Sequence, residues 1–150
     1  MEAIAFLAKR LTRKCNVVEL GSGAGTPLIA DMCERLYSIE HDAAWIGMYP
    51  FDTNYIPAPI VDGWYDPEVI ARCMPKEYDC IVVDGPPGRI GRGGFLDNLD
   101  LFEDVPMLFD DTHRQTERDL AIAVAMRRDL NISLHYTKEH RGFATVGFSV

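Results

Sequence analysis

The stretch Val17-Val18-Glu19-Leu20-Gly21-Ser22-Gly23-Ala24-Gly25-Thr26-Pro27 decides how the chain is read. Val17, Val18 and Leu20 make a short apolar run of the kind that forms a buried strand, interrupted only by Glu19. Glycines 21, 23 and 25 follow at once, and a backbone without Cβ atoms turns tightly there and lets a ligand approach it. Thr26 stands where a helix is capped and Pro27 at the first helical position. Strand, bare turn and helix start predict the opening unit of an α/β sheet with its ligand beyond the strand's carboxyl end.

Working outward, apolar runs alternate with helical patterns along the rest of the chain, which predicts α/β architecture. Residues 2–13 read as an amphipathic helix carrying Ile4, Phe6, Leu7 and Leu11 on one side. The helix after the glycine loop directs Leu28, Ile29, Met32 and Leu36 to the sheet. A second strand covers residues 36–40 and leads into a short helix at 43–48. A third strand lies within 55–61, short or at an edge because Pro57 and Pro59 cannot donate to a ladder. Asp66-Pro67 opens a helix to about Met74, and residues 79–84 form a buried parallel strand ending in Asp84. The glycine- and proline-rich residues 85–94 are a loop. A fifth strand spans 105–110, a helix about 114–130, and two strands at 133–137 and 143–149 close the chain as an antiparallel hairpin.

The loop spacing separates two cofactor classes. A dinucleotide fingerprint wants a third glycine or alanine for close helix packing beside a pyrophosphate, and Thr26 occupies that position. Glu19 would repel phosphate but suits an ammonium group. Glu40, at the end of the second strand, suits both hydroxyls of a ribose. Ammonium and ribose together point to S-adenosylmethionine.

Val17 to Thr26, with Ser38-Ile39-Glu40 and Ile81-Val82-Val83-Asp84 at their offsets, resembles the class I S-adenosylmethionine-dependent methyltransferases over nearly the whole chain. The resemblance implies a Rossmann-like three-layer sandwich in one domain, 1–150, around a seven-stranded, mostly parallel sheet with an antiparallel last strand. It also implies that Glu19, Gly21, Ser22, Gly23 and Gly25 hold the methionine portion and Glu40 the ribose. Asp62 would accept from the adenine amino group. Asp84-Gly85-Pro86-Pro87 is not the Asp-Pro-Pro-Tyr box of base-amine methylases, because Gly85 is inserted and the aromatic residue is missing.

Asp84, Asp110 and Asp111 are expected to meet at the carboxyl rim of neighbouring strands, where three carboxylates repel one another unless bridged by a cation such as Mg²⁺. This is similar to metal-dependent O-methyltransferases, in which such an ion would hold the acceptor oxygens and lower the pKa of the attacking hydroxyl. Asp84 and His113, the latter as general base, are the catalytic candidates. Arg89 and Arg92, in the glycine-rich loop, are read as a clamp for an anionic substrate or a lid. Trp45, Tyr49, Phe51, Trp64 and Tyr65 are candidates to line an acceptor pocket.

Composition bounds these readings. The 150 residues carry 47% hydrophobic and 25% charged side chains, as expected of a globular domain. A net charge of -8 argues against a nucleic-acid partner. No run approaches a membrane span, and the basic residues follow rather than precede the short apolar N-terminal stretch, so a cytoplasmic protein is expected. Cys15, Cys33, Cys73 and Cys80 have neither zinc-site nor disulfide-framework spacing. The expected activity is O-methylation of a small-molecule or sugar hydroxyl. Its rival from another class is a cofactor-binding domain without turnover that serves as a partner or regulatory subunit.

Overall fold

The computed structural model describes residues 2–50, 53–137 and 140–149. In chain order the elements are α1 (Glu2–Leu7), β1 (Asn16–Leu20), α2 (Thr26–Met32), β2 (Arg35–Glu40), β3 (Thr53–Pro57), β4 (Ile60–Val61), β5 (Trp64–Tyr65), α3 (Pro67–Cys73), β6 (Cys80–Val83), α4 (Gly94–Asp97), β7 (Met107–Phe109), α5 (Gln115–Arg128), β8 (Ile132–Tyr136) and β9 (Gly142–Val146). Seven strands form one sheet in the order β3-β2-β1-β6-β7-β9-β8. The first five in that row are mutually parallel, and β9 runs antiparallel to both β7 and β8.

The strand period of two gives the sheet two apolar faces. Val18, Leu20, Ile39, Ile81, Val83, Met107 and Phe109 form the larger core with Ile70 of α3, Phe95 of α4 and Leu120 and Val124 of α5. Val17, Leu36, Cys80, Val82 and Leu108 form the other with Leu7 of α1 and Ile29 of α2. The result is the expected three-layer sandwich. Glu19 lies on the α1/α2 face, level with Ser38 on β2 and Val82 on β6.

Several boundaries differ from the sequence reading. The first helix ends at Leu7 and continues as turns, with Arg10 reaching the Ser149 carbonyl at 2.8 Å. Leu28 points to solvent at 45% exposure. Residues 43–48 form turns rather than a helix, ended at Gly47 with φ +79°. The third strand starts at Thr53 and stops at Pro57, on the edge of the sheet, because the two prolines cannot extend it. Ile60–Val61 instead pairs with Trp64–Tyr65 in a separate hairpin turning at Asp62-Gly63, both at positive φ. No helix among the described residues is long and apolar enough to cross a membrane.

Candidate active site

Strand order reverses between β1 and β6, so the segments leaving these two strands flank the crevice where open α/β sheets bind ligands. The two segments touch there. Gly21 adopts φ +90°, and a Cβ on it would lie 2.7 Å from the Gly85 Cα. At Gly23, by contrast, a Cβ would meet no atom within 4 Å, leaving bare backbone beside open space.

Glu19 is 3% exposed and is held from two sides. The Ser38 hydroxyl donates to its Oε2 at 2.9 Å, and the Thr26 hydroxyl lies 3.0 Å from the same oxygen. Thr26 Oγ1 in turn accepts the Gly23 N–H at 2.8 Å and pairs with the Ser22 hydroxyl at 3.1 Å. The residue that departs from the dinucleotide pattern therefore ties the loop to the acid beneath it. Burial pushes the Glu19 carboxyl up to about 8, against the Ser38 and Thr26 hydrogen bonds and with help from the Asp84 and Glu40 charges.

Glu40 fastens the same loop to the next. Its Oε2 accepts the Ser22 N–H at 2.8 Å, and its Oε1 accepts the N–H groups of His41 and Asp42 at 2.6 and 2.8 Å. The His41 ring stands beside it, Nδ1 to Oε1 2.9 Å, with Tyr65 across the ring at a centroid distance of 6.0 Å.

Asp84 and Asp110 close the rim. A cavity of about 440 Å³ runs between α1 and the sheet, lined by Glu19 and Gly25, by Val82, Leu108 and the two aspartates, and by Ile4, Leu7, Arg141 and Phe143. Although the Asp84 side chain is 44% exposed, desolvation by the surrounding protein first, and the neighbouring Asp110 charge next, push its carboxyl up to about 7 against the pull of Arg92.

The three aspartates do not fit a divalent ion. The Arg92 guanidinium stands between two of them, its Nη2 3.1 Å from Asp84 Oδ1 and 3.2 Å from Asp111 Oδ2. Asp111 also meets Arg114 at 3.3 Å and Arg141 at 3.0 Å. Burial opposes ionisation of Asp111, but the Arg141 hydrogen bond and the Arg92 and Arg114 charges outweigh it and hold its carboxyl below the ordinary value. Guanidinium groups already pair with Asp84 and Asp111, and a hard cation there would have to displace them, while among the described residues the Asp110 carboxylate accepts only the Asp111 N–H. No group of three potential metal-ligating side chains occurs among the described residues.

The chain is similar to solved methyltransferases along its whole length. An O-methyltransferase from Bacillus cereus in complex with SAH superposes with a TM-score of 0.67 over 98% of this chain and 79% of its own, at 12% identity. The fold is that of the class I methyltransferases. Precorrin 8w decarboxylase from Methanobacterium thermoautotrophicum gives 0.66 over 100% of this chain and 90% of its own, at 16% identity. An rRNA methylase from Streptococcus thermophilus gives 0.63 over 97% and 92%, at 13% identity. No protein-family model matches the sequence, and no curated protein matches it. A methyltransferase fold shared by proteins named for such different substrates does not select an acceptor.

Within this methyltransferase fold, Glu19, Gly25, Asp84 and Asp110 line one cavity, with Gly21 and Ser22 in the adjoining loop and Glu40 at the end of β2. Asp62 does not join them. It is exposed at the tip of the β4–β5 hairpin, because the sheet strand ends five residues earlier at Pro57. His113 does not line the cavity either, and its Nδ1 stands 4.0 Å from Asp111. Arg92 is no flexible clamp: it is 6% exposed and also donates to the carbonyls of Asp84, Pro86 and Asp110. Arg89 is exposed, Trp64 and Tyr65 are buried, Trp45 and Tyr49 are half-buried away from the cavity, and Phe51 lies outside the described residues. Sequence reasoning gave no site role to Ser38, Arg114 or Arg141. A buried serine level with Glu19, between Tyr37 and Ile39 in β2, was a readable signal for the first.

Proposed function

We propose that this chain is an S-adenosylmethionine-dependent methyltransferase acting on a hydroxyl of a small molecule or sugar. The observation that carries this reading is the single cavity in which Glu19, Gly25, Asp84 and Asp110 meet at the carboxyl rim, beside the strand-order switch of a methyltransferase fold. The residues suit the cofactor. Bare backbone at Gly23 faces open space where a side chain would intrude. Glu19 offers a buried carboxyl to an ammonium group, and Glu40 has acceptor capacity beyond its three backbone donors for ribose hydroxyls.

When bound, the cofactor supplies a methyl carbon open to direct displacement by a nucleophile. The chain's part is alignment and proton removal. Arg92 holds Oδ1 of Asp84, leaving Oδ2 to accept the acceptor's hydroxyl proton. A carboxyl pushed up to about 7 is matched to that task near neutrality. Ile4, Leu7, Val82, Leu108 and Phe143 give the acceptor an apolar wall to pack against.

Thermal denaturation with S-adenosylmethionine, S-adenosylhomocysteine and NAD tests the reading. At 100 times its dissociation constant a ligand adds about 2.7 kcal/mol of stability. Stabilisation by the first two and not by NAD is expected, and no response to either of them sinks the proposal. Mass spectrometry of a hydroxylated acceptor panel then separates turnover from silent binding.

A further inference from the structure

Asp111 is one carboxylate among three guanidinium groups. Its Oδ1 accepts from Arg141 Nη2 at 3.0 Å, while its Oδ2 lies 3.2 Å from Arg92 and 3.3 Å from Arg114. Arg92 shares a second carboxylate, Asp84, and spends its remaining donors on main-chain carbonyls. Among the described residues Arg114 and Arg141 pair with no carboxylate but Asp111. The Arg92 side chain is enclosed at 5% exposure, whereas the Arg141 side chain is 63% exposed.

Arg141 also has a particular place. It is the cationic residue among the described lining of the cavity, whose other charged members are Glu2, Glu19, Asp84 and Asp110 and whose floor is apolar. Among the described lining an anion meets a positive charge only at Arg141, whose guanidinium, bonded to Asp111 through Nη2, keeps further N–H donors for the fork that carboxylates match. We infer that Arg141 recognises the methyl acceptor and that the acceptor carries a carboxylate, set apart from the hydroxyl that meets Asp84. The inference rests on the methyltransferase reading for the acceptor's role, though not for the anion site itself.

The test titrates the full chain with benzoate and with its neutral isostere benzamide, following the amide resonances of Thr137 and Gly142 by NMR, with and without S-adenosylhomocysteine. Benzoate is expected to bind at least about tenfold more tightly than benzamide, the advantage of a charge-assisted pair. Arg141→Gln should erase that preference, and Arg141→Lys should restore part of it. Equal binding of the two probes, no response to benzoate, or an unchanged preference in Arg141→Gln overturns the inference. Failure of S-adenosylhomocysteine to stabilise the same samples would instead overturn the methyltransferase reading, leaving the benzoate result to decide the anion site.

Discussion

Gly21 and Gly85 pack backbone against backbone across the strand-order switch: a Cβ on Gly21 would stand 2.7 Å from the Gly85 Cα, and one on Gly85 would stand 2.6 Å from the Gly21 Cα. A Cβ on Gly85 would also run into the Tyr65 hydroxyl, which is buried and has little room to move. Gly85→Ala should therefore push the two loops apart and cost about 1–3 kcal/mol, lowering the denaturation midpoint and weakening the response to S-adenosylhomocysteine together. Gly23→Ala is the contrast, since its Cβ meets nothing. It should hold stability to within about 0.5 kcal/mol and weaken only the response to S-adenosylhomocysteine. Equal midpoints for the two variants would contradict this packing.

Removing Arg92 leaves the Asp84 and Asp111 carboxylates without their shared cation and three carbonyls without a donor. Arg92→Met should destabilise the chain by at least about 1–3 kcal/mol, the usual cost of leaving buried acceptors unpaired, since Asp111 keeps Arg114 and Arg141. Arg92→Lys should recover little, because one ammonium cannot span acceptors on both the β6 and β7 loops. Urea denaturation of the three proteins measures the ranking.

Glu19 makes stability depend on pH in the direction opposite to an ordinary paired carboxylate. Its carboxyl rises from 4.5 to about 8 on folding, so between those values the native state binds a proton that the unfolded chain has lost. That contribution is complete below pH 4.5 and is lost as pH rises through about 8. It is on the order of a few kcal/mol. Asp84 acts in the same direction, between 3.8 and about 7. Glu19→Gln should flatten the fall in midpoint on the alkaline side, and a variant that tracks the wild type across this window would refute the assignment.

Thr26→Val removes the donor to Glu19 and the acceptor of the Gly23 N–H while keeping the side chain's shape. A loss of about 1–3 kcal/mol is expected for leaving these buried groups unpaired. Thr26→Ser should keep most of the stability. Should valine be tolerated as well as serine, the hydroxyl has no part in holding the loop.

Much of the architecture was legible because it is written in local patterns. Alternation of apolar strands with helices, the glycine turn after β1 and the acid ending β2 each depend on neighbours within a few residues. Pro57 and Pro59 alone marked β3 as short or at an edge, and it is both. The misplaced helix at 43–48 and the β4–β5 hairpin fail for one reason: short segments carry too little periodic signal to outweigh the packing that finally selects their conformation.

The sequence by itself determined the layered sheet, its antiparallel closing strand and the loop at its centre, since these arise from side-chain periodicity and backbone freedom close along the chain. Only the tertiary structure decided what the three aspartates do. Arg92 and Arg141 stand 19 and 30 residues from Asp111, and only the fold gathers them with its near neighbour Arg114 into a guanidinium cluster at the rim, assembled from the β6 loop, the start of α5 and the β8–β9 turn. Coulomb interactions act through space and not along the chain, so a carboxylate's partner becomes visible only once the fold has brought the charges together.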